Sequence, residues 1–257
     1  MRAEILALEQ NQTWDIVDTP ADVKSIGCRW VYHIKRQPDD SIERHKARLV
    51  AKGYAQIKGM GYLETFSPVV KITTIRVLLA LASINNWTLH QLDVHNAYLH
   101  GDLLETMYMS LPPGLTPSKP GQCCRLRKSL YGLRQSGRQW YEKLSSFLLS
   151  CGYQQTLTDY SLFFKVSGKV FTALLVYVND IVVTGSSVSE IESVKAALDS
   201  KFKVKDLAGL YLCQQKYCLD IIIDAGLTVA KLWSTPMDDS IHLSQNTREP
   251  LDDITVY

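Results

Sequence analysis

Leu92-Asp93-Val94-His95-Asn96-Ala97-Tyr98 and Tyr177-Val178-Asn179-Asp180 are the two stretches on which the reading of this chain turns. Each puts acidic or amide groups at the end of a strongly apolar, strand-like run. Hydrophobic neighbours raise the cost of keeping a carboxylate charged, so one in that setting needs a reason. A shared divalent cation would be such a reason. Asp93 and Asp180 lie 87 residues apart, ample chain to bring two strands side by side in one sheet. Asn179 carries an amide where a third carboxylate would serve best.

Outward from these stretches the pattern is mixed. Trp30 to Lys35 and Arg48 to Tyr54 read as strands joined by Gln37-Pro38-Asp39-Asp40-Ser41, rich in turn formers. A helix is expected from Thr73 to Asn86, with Ile75, Leu78, Leu79 and Ala82 on one face and Thr73 or Thr74 as its cap. Trp87 to Asp93 and Glu105 to Ser110 follow as strands. Arg134 to Gly152 reads as an amphipathic helix with Trp140, Leu144, Phe147, Leu148 and Cys151 inward and Gly152 at its stop. Leu162 to Val166 and Val170 to Val178 pair around Ser167-Gly168, Asn179-Asp180 forms a turn, and Ile181 to Thr184 returns. Ser187 and Glu190 have capping-box spacing and open a helix to about Phe202. There is no internal repeat. Antiparallel hairpins with intervening helices make the class α+β.

The net charge of +2 hides an uneven distribution. Lys24 to Lys58 holds nine Lys or Arg against three acids, and Lys119 to Lys143 seven against one. After Pro236 the sign reverses, with five acids and one Arg. Two basic blocks suit a phosphate-rich partner such as nucleic acid, although two ordinary solvated faces would read the same way. The six cysteines have no C-x-x-C pair, which points away from a zinc site and from a secreted disulfide framework. His90, His95 and His100 recur every five residues, a spacing that suits neither a helix face nor a strand face, so no metal role is expected. Met1 to Gln10 does not read as a signal peptide, and no apolar run approaches bilayer length. The expectation is an intracellular, cytoplasmic chain with no membrane partner.

Six blocks then bear on ancestry: Trp30-Val31-Tyr32, Lys46 to Tyr54, Thr65-Phe66-Ser67-Pro68-Val69, Gln91-Leu92-Asp93-Val94, Leu130 to Ser136, and Tyr177-Val178-Asn179-Asp180. In order and spacing they resemble the reverse transcriptase of copia-type long-terminal-repeat retrotransposons. The resemblance implies a right-hand polymerase with fingers, an antiparallel palm sheet with packed helices, and an incomplete thumb. It implies a domain over about 11–237, with 11–86 mainly fingers, 87–206 mainly palm, 207–237 a truncated segment, and 238–257 an acidic tail. Virus-like particles or the nucleus are the locations it adds.

By the same resemblance Asp93 and Asp180 are catalytic metal ligands for Mg2+, with Asn179 at a family aspartate position. Tyr98 takes the place of the aromatic gate against a ribose 2′-hydroxyl. Lys35 or Arg36, with Arg48, would hold the triphosphate, and Gln135 lies in a block lining the nucleotide pocket. RNA template, DNA primer and deoxynucleoside triphosphates are the implied partners. Each residue also has a plainer reading. The Lys and Arg around Arg48 alternate as a solvated strand face would, Tyr98 could be a core aromatic, and Asn179-Asp180 is a good hairpin turn.

The chain departs from the family in three ways. Asn179 removes a full negative charge from the cation site. Between Asp206-Leu207 and Tyr211 only Ala208-Gly209-Leu210 remain, where family members carry roughly 15 further residues including a hairpin that positions the primer end. The start falls inside the family's opening and the end before the remaining thumb and ribonuclease H regions. Together these describe a degenerate, catalytically impaired copy. A noncatalytic nucleic-acid-binding remnant and a pseudogene product without function stand as alternatives.

Overall fold

The structure, a computed structural model, describes residues 1–37, 41–207 and 215–226. The chain divides into two units, 1–210 and 211–257. The described part of the second unit is one helix, Gln215–Asp224, with Leu219, Ile221 and Ile223 exposed. The shortened junction at Ala208-Gly209-Leu210, the acidic tail 238–257 and residues 38–40 of the first turn lie outside the described residues.

The first unit is mixed α/β, and all its sheets are antiparallel. Helix α1 (Arg2–Gln10) leads into β1 (Trp14–Asp18), β2 (Cys28–Arg36) and β3 (Ile42–Ala51). Then come α2 (Ile72–Ile84), β4 (Thr88–Val94), β5 (Asp102–Met109), β6 (Gln122–Lys128) and α3 (Ser136–Ser150). The series ends with β7 (Gln154–Gln155), β8 (Leu162–Ser167), β9 (Val170–Tyr177), β10 (Asp180–Gly185), α4 (Val188–Phe202) and β11 (Val204–Asp206). The principal sheet has six strands in the order β11-β4-β10-β9-β8-β7. A second sheet, β1-β6-β5, has three strands, and β2-β3 is a separate two-stranded ribbon.

Strand side chains alternate between faces, and the principal sheet is apolar on both. Leu92, Val94, Leu174, Val176, Ile181 and Val183 join Trp140, Leu144 and Leu148 of α3 and Ile191, Val194, Leu198 and Phe202 of α4 in the largest core. On the opposite face Ala173, Leu175 and Val182 meet Leu78 and Ile75 of α2. The inward face of α3 is as expected, with Phe147 and Cys151 partly buried beside the three core residues. The capping box is present too, since the Ser187 hydroxyl accepts from the Glu190 N–H.

Helix α2 is capped differently from expectation. Its N-cap is Lys71, with no local side-chain cap, and Thr74 Oγ1 instead donates to Asp159 Oδ2 at 2.6 Å. The same oxygen accepts from the Lys71 N–H at 3.1 Å, while Oδ1 takes the Ser161 N–H and hydroxyl. A carboxylate at a helix N-terminus is favoured by the exposed N–H groups there. This one comes from 88 residues away, so no local sequence pattern announces it.

The ribbon stands on a second core formed by Leu49, Ala51, Met107, Met109, Leu126, Leu130 and neighbours. Its base is clamped where the Ala51 N–H donates to Tyr131 O at 2.7 Å. Gly132, at φ +90°, lies under that crossing, and a Cβ there would stand 2.2 Å from Ala51 O. Only glycine satisfies both the angle and the approach. The ribbon also corrects two expected boundaries. Its strands run longer than the apolar pattern suggests, and β3 stops at Ala51, after which Gly53–Ala55 forms a short 3-10 turn.

Candidate active site

Asp180 and Asp93 are register partners across the β10–β4 pair. The Val94 N–H donates to Asn179 O at 2.8 Å, which makes the adjacent Asp93–Asp180 pair one without its own backbone bonds. Such pairs bring the Cα atoms to roughly 4.5 Å with side chains on one face. The two strand-end carboxylates therefore share a location, as their setting at the end of apolar runs suggested. On the other side of β4, Lys205 of β11 is the register partner of Asp93.

The turn between β9 and β10 is Val178-Asn179, one residue earlier than the expected Asn179-Asp180, and Asp180 opens the return strand. The shift is what pairs Asp180 with Asp93. Val178 has φ +54°, an unusual conformation for a β-branched residue and one that glycine normally supplies. Buried Trp140 holds it, donating from Nε1 to Val178 O at 2.6 Å. Asn179 donates from Nδ2 to Asp93 Oδ1 at 2.7 Å, and Gln91 from Nε2 to Asp180 Oδ1 at 3.1 Å. Both carboxylates thus have an amide donor.

Facing this sheet end is a cleft of about 480 Å³. Lys35, Arg44, Lys46 and Arg48 line it from the ribbon, and Asp93, Asn96, Tyr98 and Asn179 line it from below. The register Lys35↔Arg44 and Val31↔Arg48, with Lys46 between, sets the cations on one ribbon face. Arg48 lies over the Tyr131 ring, 4.0 Å from its centre, and Tyr131 meets Tyr98 at 5.1 Å. Burial pushes the Lys46 ammonium below its ordinary pKa, and Arg48, Lys35 and Arg44 add to the shift. Burial raises the Tyr98 phenol, with Arg48 acting against it, so its hydroxyl stays protonated near neutral pH.

The cleft thus gathers Asp93, Asn179, Lys35, Arg48 and Tyr98, and Asp180 lies beside Asp93. Arg36 does not line it, since consecutive strand residues point to opposite faces and Lys35 takes the cleft side. Gln135 does not line it either. It is fully buried, accepting from Gln56 Nε2 at 2.9 Å and donating to Gly61 O at 3.1 Å. Its amide is used in pinning the loop after the ribbon. Sequence reading missed Arg44 and Lys46 as separate cleft residues, although Arg44, Lys46 and Arg48 at alternate positions carried the signal. It also missed Trp140 as the anchor of the turn, having placed it only in the core.

Whether these residues suit a divalent cation is decided by their donors. Asp93 and Asp180 are two adjacent hard oxygen ligands, and a magnesium ion can be held by one or two carboxylates together with substrate phosphates. Among the described residues no group of three or more His, Cys, Asp or Glu gathers anywhere. The pair fits a cation. The third position, Asn179, does so only with its amide turned over to offer oxygen, which ends its bond to Asp93.

Comparison with known proteins agrees with the geometry. Residues 11–239 match the family described as reverse transcriptase (RNA-dependent DNA polymerase). The Pol polyprotein of transposon RE1 from Arabidopsis thaliana is 42% identical across the whole chain, and that of TNT 1-94 from Nicotiana tabacum 38% identical over 95% of it. The chain spans about a fifth of their length, 19% and 20%. The RE1 alignment runs over 274 positions against the 257 residues here. A solved foamy viral protease–reverse transcriptase in complex with double-stranded DNA overlays 78% of this chain and 30% of its own, with 13% identity and a TM-score of 0.37. The chain belongs to the reverse transcriptase family, as the reverse transcriptase domain of a copia-type retrotransposon Pol polyprotein.

Proposed function

We propose that the cleft is the nucleotide site of an RNA-directed DNA polymerase whose catalytic step is impaired in this copy. The observation that carries this reading is the register pairing of Asp93 with Asp180 opposite the cationic ribbon. In the proposed arrangement residues 11–86 are mainly fingers, 87–206 mainly palm and 207–237 a shortened continuation. RNA template and DNA primer would lie along the basic surfaces, with a deoxynucleoside triphosphate in the cleft.

Each group has a role that follows from its chemistry. Asp93 and Asp180 would hold Mg2+, which when bound supplies charge neutralisation and a more acidic primer hydroxyl. Arg48, oriented by its seat on Tyr131, presents its guanidinium to phosphate oxygens, with Lys35, Arg44 and Lys46 adding charge. Tyr98, braced by Tyr131, supplies a flat face under a deoxyribose and no room for one more oxygen. Trp140 fixes the height of the turn, and Gln135 supports the neighbouring loop from behind.

Impairment follows from Asn179. An amide in place of a carboxylate takes one charge from the cation site and gives Asp93 a competing donor. Loss of a supporting partner alone commonly costs on the order of 10–100-fold in metal affinity or activity. The test is primer extension on an RNA template with Mg2+ or Mn2+. Robust extension by the chain as written would overturn the impairment. If Asn179→Asp alone restored extension, the shortened segment at Ala208 would be dispensable.

A noncatalytic nucleic-acid-binding role is the second reading, favoured by the four ribbon cations on one cleft. It predicts affinity for RNA and DNA that falls steeply with salt, measured by filter binding. Affinity indifferent to salt would contradict it.

A further inference from the structure

The charges around the cleft do not balance without a ligand. Lys35, Arg44, Lys46 and Arg48 face a single lining carboxylate, Asp93. Among the described residues these four side chains have one ion pair, a 3.7 Å contact between Arg44 and exposed Glu43. Asp180 does not line the cleft, and its Oδ1 is engaged by Gln91. Asp93 Oδ1 is engaged by Asn179 Nδ2, so the one facing carboxylate already has a donor. Lys205 stands next to Asp93 in register.

In a site with carboxylates at all three positions, a polyphosphate meets repulsion that divalent ions relieve. Here the amide removes one of those charges and offers hydrogen to a second. From these contacts we infer that Asn179 makes the cleft a divalent-metal-independent polyphosphate site. Its ligand class is the triphosphate group of a nucleotide or inorganic tripolyphosphate. The inference rests on the nucleotide-site reading above and changes its chemistry, because the bound nucleotide is retained without being transferred. The lowered Lys46 pKa agrees with this geometry, since burial comes first among its causes and the neighbouring Arg48, Lys35 and Arg44 add to it, with Glu4 outside the cleft lining acting against them.

The test is calorimetric titration of the full chain with tripolyphosphate and with a deoxynucleoside triphosphate, each in EDTA and in Mg2+. Affinity of the wild-type chain should agree within about threefold between the two conditions. Asn179→Asp should weaken binding in EDTA by about tenfold or more, with Mg2+ restoring it, the order of effect expected for one unit of charge at a site. Wild-type binding that appears only with Mg2+ overturns the inference and leaves the nucleotide site standing. No wild-type binding of either ligand in either condition overturns both. The wild-type titrations suffice for these outcomes even if Asn179→Asp does not fold. In a folded variant, unchanged affinity in EDTA removes Asn179 from the explanation and overturns the inference.

Discussion

The two walls of the cleft are built in opposite ways. The lower wall is the end of a six-stranded sheet packed on both faces, with its turn held by Trp140 and its register fixed over β4, β10 and β9. The upper wall is a two-stranded ribbon, exposed along most of its length and anchored at its base. Placement of two carboxylates demands precision and is supplied by the buried scaffold. In the proposed nucleotide site, holding a phosphate tail demands charge, which the long cationic side chains would supply. In the proposed reading Asn179, at a family aspartate position, falls on the wall that needs precision, yet the change touches charge and leaves packing alone. On that reading scaffold and chemistry can be lost independently.

If that contrast holds, substitutions in the lower wall change stability and those in the ribbon change binding. Trp140→Ala should have the largest effect, about 3–5 kcal/mol in urea denaturation, as truncating a buried aromatic does. Trp140→Phe keeps most of the packing and loses the donor to Val178 O, for about 1–2 kcal/mol. A cost below about 1 kcal/mol for Trp140→Ala would break the contrast from one side.

Asp159→Asn comes next, at about 2–3 kcal/mol, because an ionised acceptor of several hydrogen bonds is replaced by a neutral one. Burial works against the charge of Asp159, but hydrogen bonds from Ser161, Thr74 and Lys71 outweigh it and leave the pKa below its ordinary 3.8. The sign follows from linkage. A depressed carboxylate pKa contributes stability above pH 3.8, which is lost as pH falls through the folded value. Wild type and Asp159→Asn should converge in denaturation curves taken well below pH 3.8. A difference that grew towards acid would contradict the ionised cap.

On the ribbon, Arg48→Ala should lower affinity for tripolyphosphate or single-stranded nucleic acid about tenfold and reduce the salt slope by about one. Its stability cost should stay near the 0.5–1 kcal/mol of a cation–π contact. A larger loss of stability than of binding would place Arg48 with the scaffold. Val178→Gly sharpens the comparison by its small effect. Relief of about 1–2 kcal/mol of backbone strain is offset by the 0.5–1 kcal/mol entropy cost of glycine, so melting should move little.

Much of the lower wall was legible because its signals are local and periodic. The runs ending in Asp93 and at Tyr177, the amphipathic face of α3 and the Ser187 cap all follow from spacing within one element. Its partnerships were not legible. Asp159 caps a helix 88 residues away, and Trp140 reaches the Val178 carbonyl across 38. The strand β6 was hidden inside a basic block, since Arg125 and Arg127 alternate with residues buried in the second core. Gln135 shows the limit of reading by resemblance. The motif placed it in the nucleotide pocket, whereas Gln56 and Gly61 hold it inside the fold.

The central claim is that the scaffold of a metal site stands while its charge is short by one. Manganese binding followed by electron paramagnetic resonance tests this directly in wild type and Asn179→Asp. The account predicts roughly 10–100-fold tighter binding in the variant, with both proteins equally folded. Equal affinity in the two would contradict it.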